Sequence, residues 1–264
     1  MLEPPALAEE AIAGALEAGF GVRVDGLVFL PVGNDAASWA YRVAVAGGPS
    51  WFLKVRAGAG AMPGAAVPAY LHRHGVPLVL APRLTGTGAP FVVVDRFALA
   101  LYPLLDAAPG AEVGLSPAQW RELGAAVRQA HALPPTPELA ALAAREAFRP
   151  SRRELLPALE AAVVTWNVLV DADNHLWVVD WDEAVLAPRE RDLMFVVGGI
   201  GHGLVRPDDT ERFLRGYGET GVDPRTPALG QETRRAALDG FMDLFKPGNI
   251  VDLANRFAGR FGPG

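Results

Sequence analysis

The run Asn167-Val168-Leu169-Val170-Asp171-Ala172-Asp173-Asn174-His175-Leu176-Trp177-Val178-Val179-Asp180-Trp181-Asp182 holds two short strand-like stretches, 167–170 and 176–179, apolar but for the opening Asn167, around a polar turn at 171–175. Each stretch is too short for a helix and is apolar on successive residues, the pattern of a strand buried on both faces. Two carboxylates, Asp180 and Asp182, follow the second strand directly. Carboxylates at the end of a buried strand lose hydration, so a cation or hydrogen-bond donors must lie close to them. Asn167, at the start of the first strand, reads by itself as a turn or capping residue.

Towards the N-terminus the chain changes character. Three β-favourable runs, 27–32, 39–45 and 51–55, are separated by Gly33-Asn34-Asp35 and Gly47-Gly48-Pro49-Ser50, which makes a meander. An amphipathic helix over 6–19 precedes them, with Leu7, Ile12 and Leu16 on one face and Gly19 as its stop. The Gly- and Ala-rich stretch 57–65 reads as a flexible connection to a short helix over 67–74. Residues 91–97 and 99–105 read as extended, and Pro103 ends regular pairing because it lacks a backbone donor. Helical patterns dominate beyond that point: 117–132 behind an N-cap at Ser116, then 138–148, 152–161, 190–198, 209–217, 232–245 and 250–257. The expected architecture is α+β and two-lobed, with a small β-rich N-lobe over 1–103 and a mostly helical C-lobe over 104–264.

Half of the 264 residues are hydrophobic and the net charge is −6. Lys and Arg are scattered, without the basic stripe that would track a phosphate backbone, so nucleic acid is not an expected partner. No apolar run reaches the roughly 18 residues of a spanning helix, and Met1-Leu2-Glu3-Pro4-Pro5 has no basic leader. The chain has no cysteine, which removes disulfides, thiolate metal sites and cysteine nucleophiles, and suits a cytoplasmic protein. Nothing in the sequence signals an oligomeric state.

Lys54 stands in the middle of the third strand, among Trp51, Phe52, Leu53 and Val55. An amine there must reach a partner or extend to water. Taken together, a strand lysine, an asparagine opening a later strand pair and an aspartate closing it are the parts that phosphoryl transfer from ATP requires. They are a cation on the phosphates, and an amide and a carboxylate on Mg²⁺.

With these parts, the segments 165–170, 178–182 and Ala187-Pro188-Arg189-Glu190-Arg191-Asp192-Leu193 resemble the aminoglycoside phosphotransferase family, its spectinomycin phosphotransferase-like branch in particular. The similarity extends to Gly33-Asn34-Asp35 with Tyr41-Arg42-Val43, to Phe52-Leu53-Lys54, to Leu101-Tyr102-Pro103-Leu104 and to residues 245–251. The resemblance implies a protein-kinase-like fold, ATP and Mg²⁺ as cofactors, and a small polar hydroxyl acceptor such as an aminoglycoside or aminocyclitol, with antibiotic resistance as a biological setting. By the same resemblance Lys54 contacts the nucleotide phosphates and the turn 33–38, with Asp35 and Ser38, covers them. Backbone groups at 99–102, with Leu101 and Tyr102, face adenine, and Asn167 and Asp180 ligate Mg²⁺. Arg189, Glu190 and Asp192 brace the floor of the site.

The chain departs from that family in three places. The catalytic aspartate belongs five residues before Asn167, and Ala162 stands there. The chain is compressed near 157–163 and 228–232, which shortens the C-lobe. No Asp or Glu occurs between Lys54 and Asp95, so the lysine must find its partner elsewhere, with Asp180 the candidate. A catalytically silent nucleotide-binding module is therefore the second expectation, and a choline, fructosamine or sugar kinase the third. His131 and His175 are expected to be structural.

Overall fold

A computed structural model of the chain describes residues 3–32, 37–58, 62–142, 144–145, 167–186, 189–193, 196 and 205–218. The expected helices at 152–161, 232–245 and 250–257, the compressions near 157–163 and 228–232, Asp35 and Ala162 lie outside them. By its contacts the chain divides into two compact units. The first comprises Met1–Val113, Ala126–Arg145 and Val168–Leu186, and the second Gly114–Ala125, Glu146–Asn167 and Ala187–Gly264.

The first unit is organised by an antiparallel sheet of β1 (Gly26–Leu30), β2 (Ser38–Ala44), β3 (Trp51–Ala57), β4 (Val92–Val94) and β5 (Phe97–Pro103), in the order β1-β2-β3-β5-β4. The meander is therefore present, extended by a hairpin whose two-residue turn places Asp95 at φ 52°. That turn interrupts the continuous extended stretch expected over 91–97. The helix α1 (Glu9–Phe20) lays Ile12, Leu16 and Phe20 on one face of the sheet, against Tyr41, Val43, Leu53, Val55, Phe97, Leu99 and Leu101. The helix runs through Gly19 and stops at Gly21, whose left-handed conformation (φ 64°) closes the C-terminus. Gly19 has a different use: a Cβ there would overlap the Val92 side chain, so the glycine lets α1 approach β4.

On the other face lies α2 (Pro63–Arg73), which starts four residues earlier than the expected 67–74. Pro63 sits at the helix start, where a missing N–H costs nothing, but Pro68 lies inside it. Proline at that position deprives the Gly64 carbonyl, four residues back, of its helical donor. The Tyr102 hydroxyl supplies one instead, donating to Gly64 O at 2.9 Å. This cross-element bond lets a proline-containing segment stay helical, and nothing local in the sequence announces it.

The first unit also holds β6 (Ala107–Pro109), the short helix α3 (Gly110–Val113), α5 (Pro137–Leu142), β7 (Ala144–Arg145), β8 (Val168–Asp171), β9 (Leu176–Val178) and β10 (Val185–Leu186). The strand pair at 167–179 is present as the antiparallel hairpin β8-β9, with β6 beside β8. Asp171 organises its turn by accepting the backbone N–H groups of Asp173 and His175 and the Trp177 indole N–H. The helix expected over 138–148 ends at Leu142, and Ala144–Arg145 instead pairs in parallel with β10.

The second unit takes the N-terminal half of α4 (Pro117–Ala132), whose Ser116 and Gln119 form a reciprocal capping box. The Gln119 N–H donates to Ser116 Oγ (3.2 Å) and the Ser116 N–H to Gln119 Oε1 (2.8 Å). It also holds α6 (Glu190–Leu193) and α7 (Pro207–Tyr217). A Cβ on Gly124 would overlap the Phe213 carbonyl and one on Gly216 the Arg121 carbonyl, so two glycines set how closely α4 and α7 cross. Among the described residues no helix is long and apolar enough to cross a membrane.

The Gly64 carbonyl gives a direct test. Tyr102→Phe should cost about 1–3 kcal/mol in denaturant unfolding, the penalty for a buried acceptor left without a donor. The same change in a Pro68→Ala background should cost markedly less, because alanine at that position restores the helical N–H. Equal losses in both backgrounds would contradict the assignment.

Candidate active site

Alternation along β3 separates two functions. Leu53 and Val55 point into the α1 core, fully buried, which sends Phe52, Lys54 and Arg56 to the opposite face. The cross-strand neighbours of Lys54 are Ala40 and Ala100, and Arg56 lies between Ser38 and Ala98. These small residues leave the two cations room.

The acidic partners arrive from β9. That strand is held on one side by β8 and on the other by the 78–80 segment, where the Val178 N–H donates to Leu78 O (2.6 Å) and the Leu80 N–H to Val178 O (3.2 Å). The chain then turns sharply at Asp180, a non-glycine residue in the left-handed region (φ 60°, ψ 62°), into a single 3-10 turn at Trp181–Glu183. A conformation of this kind costs roughly 1 kcal/mol or more and persists only where its surroundings impose it. Here the Trp181 side chain is packed with Leu71, Val76 and Val79, and its indole N–H donates to Val178 O at 3.2 Å.

The turn delivers both carboxylates to β3. Lys54 Nζ lies 2.9 Å from Asp180 Oδ1 and 2.8 Å from Asp182 Oδ2, and the Arg56 guanidinium donates to the same Asp182 oxygen at 2.9 Å. Two cations thus meet two anions. The carboxylates are not equivalent: the Asp180 side chain is 54% exposed and that of Asp182 only 12%. Burial alone would pull the Lys54 amine down, but the charges of Asp180 and Asp182, with their hydrogen bonds, outweigh it and hold the amine above its ordinary 10.5. The Tyr102 phenol is pushed up, by burial first and then by the same two aspartates.

Of the residues singled out from the sequence, Lys54 and Asp180 are brought into contact. Ser38 opens β2 opposite Arg56. Leu101 is buried in the α1 core and its carbonyl accepts the Arg83 N–H at 2.7 Å, while the Tyr102 hydroxyl is committed to Gly64. Val168, the residue after Asn167, pairs with Val178, two before Asp180. Asp180 and Asn167 are hard oxygen donors of the kind Mg²⁺ takes from a protein in ones and twos, phosphates and water completing its shell. Among the described residues no group of three or more acidic, histidine or cysteine side chains is placed to hold a metal. His175 lies tilted against Trp177 at the hairpin turn, the ring centroids 5.0 Å apart and the planes at 45°. Asp182 was expected only to need a cation nearby, and Lys54 and Arg56 supply it; Arg56 was not singled out, although its signal was present, two residues beyond Lys54 on the same face of β3.

The architecture has close counterparts among solved structures. Spectinomycin phosphotransferase in complex with ADP and spectinomycin superposes with a TM-score of 0.75 at 22% identity, over 91% of this chain and 88% of that one. The same enzyme bound to AMP gives 0.73 at 23%, over 98% and 96%. The fold is that of the small-molecule kinases. A macrolide 2′-phosphotransferase from Brachybacterium faecium follows at 0.56 and 20%, over 97% and 99%. At these identities the likeness is one of fold, of the α+β, protein-kinase-like class expected from the sequence. No protein-family model matches the chain, and neither does any curated protein.

The raised amine has a consequence for stability. A folded lysine that keeps its proton above 10.5 contributes stability that is complete below that value and is lost as pH rises through the higher folded one. The stability gap between the wild type and Lys54→Met should stay constant from neutrality up to about pH 10 and narrow as pH rises through 10.5 and beyond. Thermal melts of both proteins across that range measure it, and a gap that widens with pH would contradict the ion-pair geometry.

Proposed function

We propose that this protein is an ATP- and Mg²⁺-dependent phosphotransferase acting on a hydroxyl of a small polar acceptor such as an aminoglycoside or aminocyclitol, and that it works in the cytoplasm. The observation that carries the reading is the 2.9 Å contact between Lys54 Nζ and Asp180 Oδ1, which joins a strand cation to a strand-end carboxylate on a kinase-like sheet. The nucleotide-binding lobe would comprise residues 1–103 and the helical lobe 104–264. Lys54 would bind the phosphates, the turn bearing Asp35 and Ser38 would cover them, and the backbone at Leu101 and Tyr102 would border adenine. Asp180 and Asn167 would hold Mg²⁺, which when bound neutralises charge on the transferring phosphate. To do so, Asp180 must release the amine it holds in this structure, and its exposure leaves it free to turn outward. Nucleotide complexes of neighbours with this fold, with ADP, AMP and AMP-PNP, support the nucleotide part of the reading.

Ala162 favours a second reading. It stands where the resemblance puts the aspartate that orients the acceptor hydroxyl and accepts its proton, and losing a general base typically costs about 10²–10⁴-fold. A chain with alanine there binds nucleotide and transfers phosphate very slowly or not at all. The antibiotic-resistance setting follows only from the faster case.

Asp180→Ala should abolish Mg²⁺-dependent ATP binding in calorimetric titration, and unchanged affinity would sink the site assignment. Phosphate transfer from labelled ATP to a panel of aminoglycosides, aminocyclitols, choline and fructosamines separates the two readings: a phosphorylated product supports the enzyme, and binding without product the silent module.

A further inference from the structure

In protein kinases the strand lysine is held by a glutamate from the helix that follows the strand. Here α2 occupies that place in the chain, and Pro63–Arg73 contains no acidic residue. What stands on α2 instead is Gly64. A Cβ at Gly64 would overlap Asp182 Oδ1 and crowd the Asp182 backbone, so the helix has been stripped of side chain where the Trp181–Glu183 turn comes against it. The missing acid and the missing side chain are two aspects of one arrangement, in which the carboxylate reaches the lysine from the turn.

Resting on the kinase reading above, we propose that Asp182 is the positioning residue for Lys54, doing from the 180–182 turn what a helix glutamate does elsewhere, while Asp180 is the exchangeable partner that leaves the amine when nucleotide binds. Three observations separate the two aspartates. Asp182 is nearly enclosed and Asp180 half exposed. Asp182 Oδ2 is shared by two cations, Lys54 and Arg56, so Arg56 anchors the carboxylate that anchors the lysine. The other oxygen, Asp182 Oδ1, occupies space that a Cβ on Gly64 would take, so the glycine admits the carboxylate in this position. An amine between a fixed anion and a movable one keeps its place when the movable one turns to a metal.

The two carboxylates, both on one amine, then have opposite effects on a nucleotide without metal. Binding of a fluorescent ADP to the full chain in EDTA is the measurement. A carboxylate near an anionic ligand repels it, so charge alone predicts that Asp182→Asn tightens binding. The positioning role predicts about a tenfold loss, the size expected when a charge-assisted hydrogen bond is removed. Asp180→Asn should bind as well as the wild type or better, since it frees the amine. Because EDTA excludes metal, loss of a metal ligand cannot produce the Asp182→Asn effect. In a Lys54→Met background Asp182→Asn should change affinity less than about twofold, since its target is gone. Gly64→Ala keeps every charge and displaces the carboxylate, and should also weaken ADP several-fold, which covers the case of an Asp182→Asn protein that does not fold. Wild-type or tighter affinity for Asp182→Asn or, if that protein does not fold, for Gly64→Ala overturns the inference, as does an Asp182→Asn loss undiminished by Lys54→Met. If the wild type binds no ADP in EDTA or Mg²⁺, or Lys54→Met changes nothing, the kinase reading itself falls and the inference with it. Weakening by Lys54→Met without weakening by Asp182→Asn overturns the inference alone.

Discussion

A lysine amine on the inner face of a five-stranded sheet, bracketed by two carboxylates from one turn, is the constraint around which the first unit is arranged. An ammonium so enclosed is tolerable only with anions at contact distance, and anions at the end of a buried strand are tolerable only with cations there. Each side of the arrangement therefore requires the other, across 126 residues of chain. The sheet orients Lys54 by simple alternation. The carboxylates are oriented by a left-handed residue, by the burial of Trp181 and by the pairing of β9 with the 78–80 segment.

The same face accommodates α2 through two adjustments that involve Gly64. Its side chain is absent, which admits the Asp182 turn, and its carbonyl is released by Pro68 and taken up by Tyr102. Tyr102 thus joins the sheet to the helix that backs the acidic turn. An acid on α2 at Gly64 would occupy the space that Asp182 uses, so the helix and the turn offer alternative ways of holding one amine. This chain uses the turn.

How much of this could be read beforehand follows from the range of the interactions. The meander, the N-cap at Ser116 and the hairpin at β8-β9 depend on apolar patterns, turn residues and a capping side chain beside its own helix, and they stand close to where they were expected. The start of α2 was placed too late because the Gly- and Ala-rich stretch 57–65 reads locally as a flexible connection, whereas the helix is held from outside by Tyr102, 38 residues beyond the Gly64 carbonyl it serves. The stop of α1 was placed at Gly19 because glycine commonly ends helices, whereas that glycine admits the Val92 side chain from another element. Ala144–Arg145 was read as part of a helix and pairs with β10, a partner remote in the chain.

At the site, the sequence by itself determined which charged groups need partners: a cation forced onto one face of β3 by its apolar neighbours, and acids at the end of a strand too apolar to leave them uncompensated. It determined this because alternation and desolvation act on residues one and two apart. Only the tertiary structure decided who meets whom. That Asp182 shares Lys54 with Asp180, that Arg56 joins them and that Gly64 makes the space are outcomes of packing β3, α2 and the 181–183 turn together. No periodicity encodes them, because each distance is set by the shape of a neighbour remote in the chain.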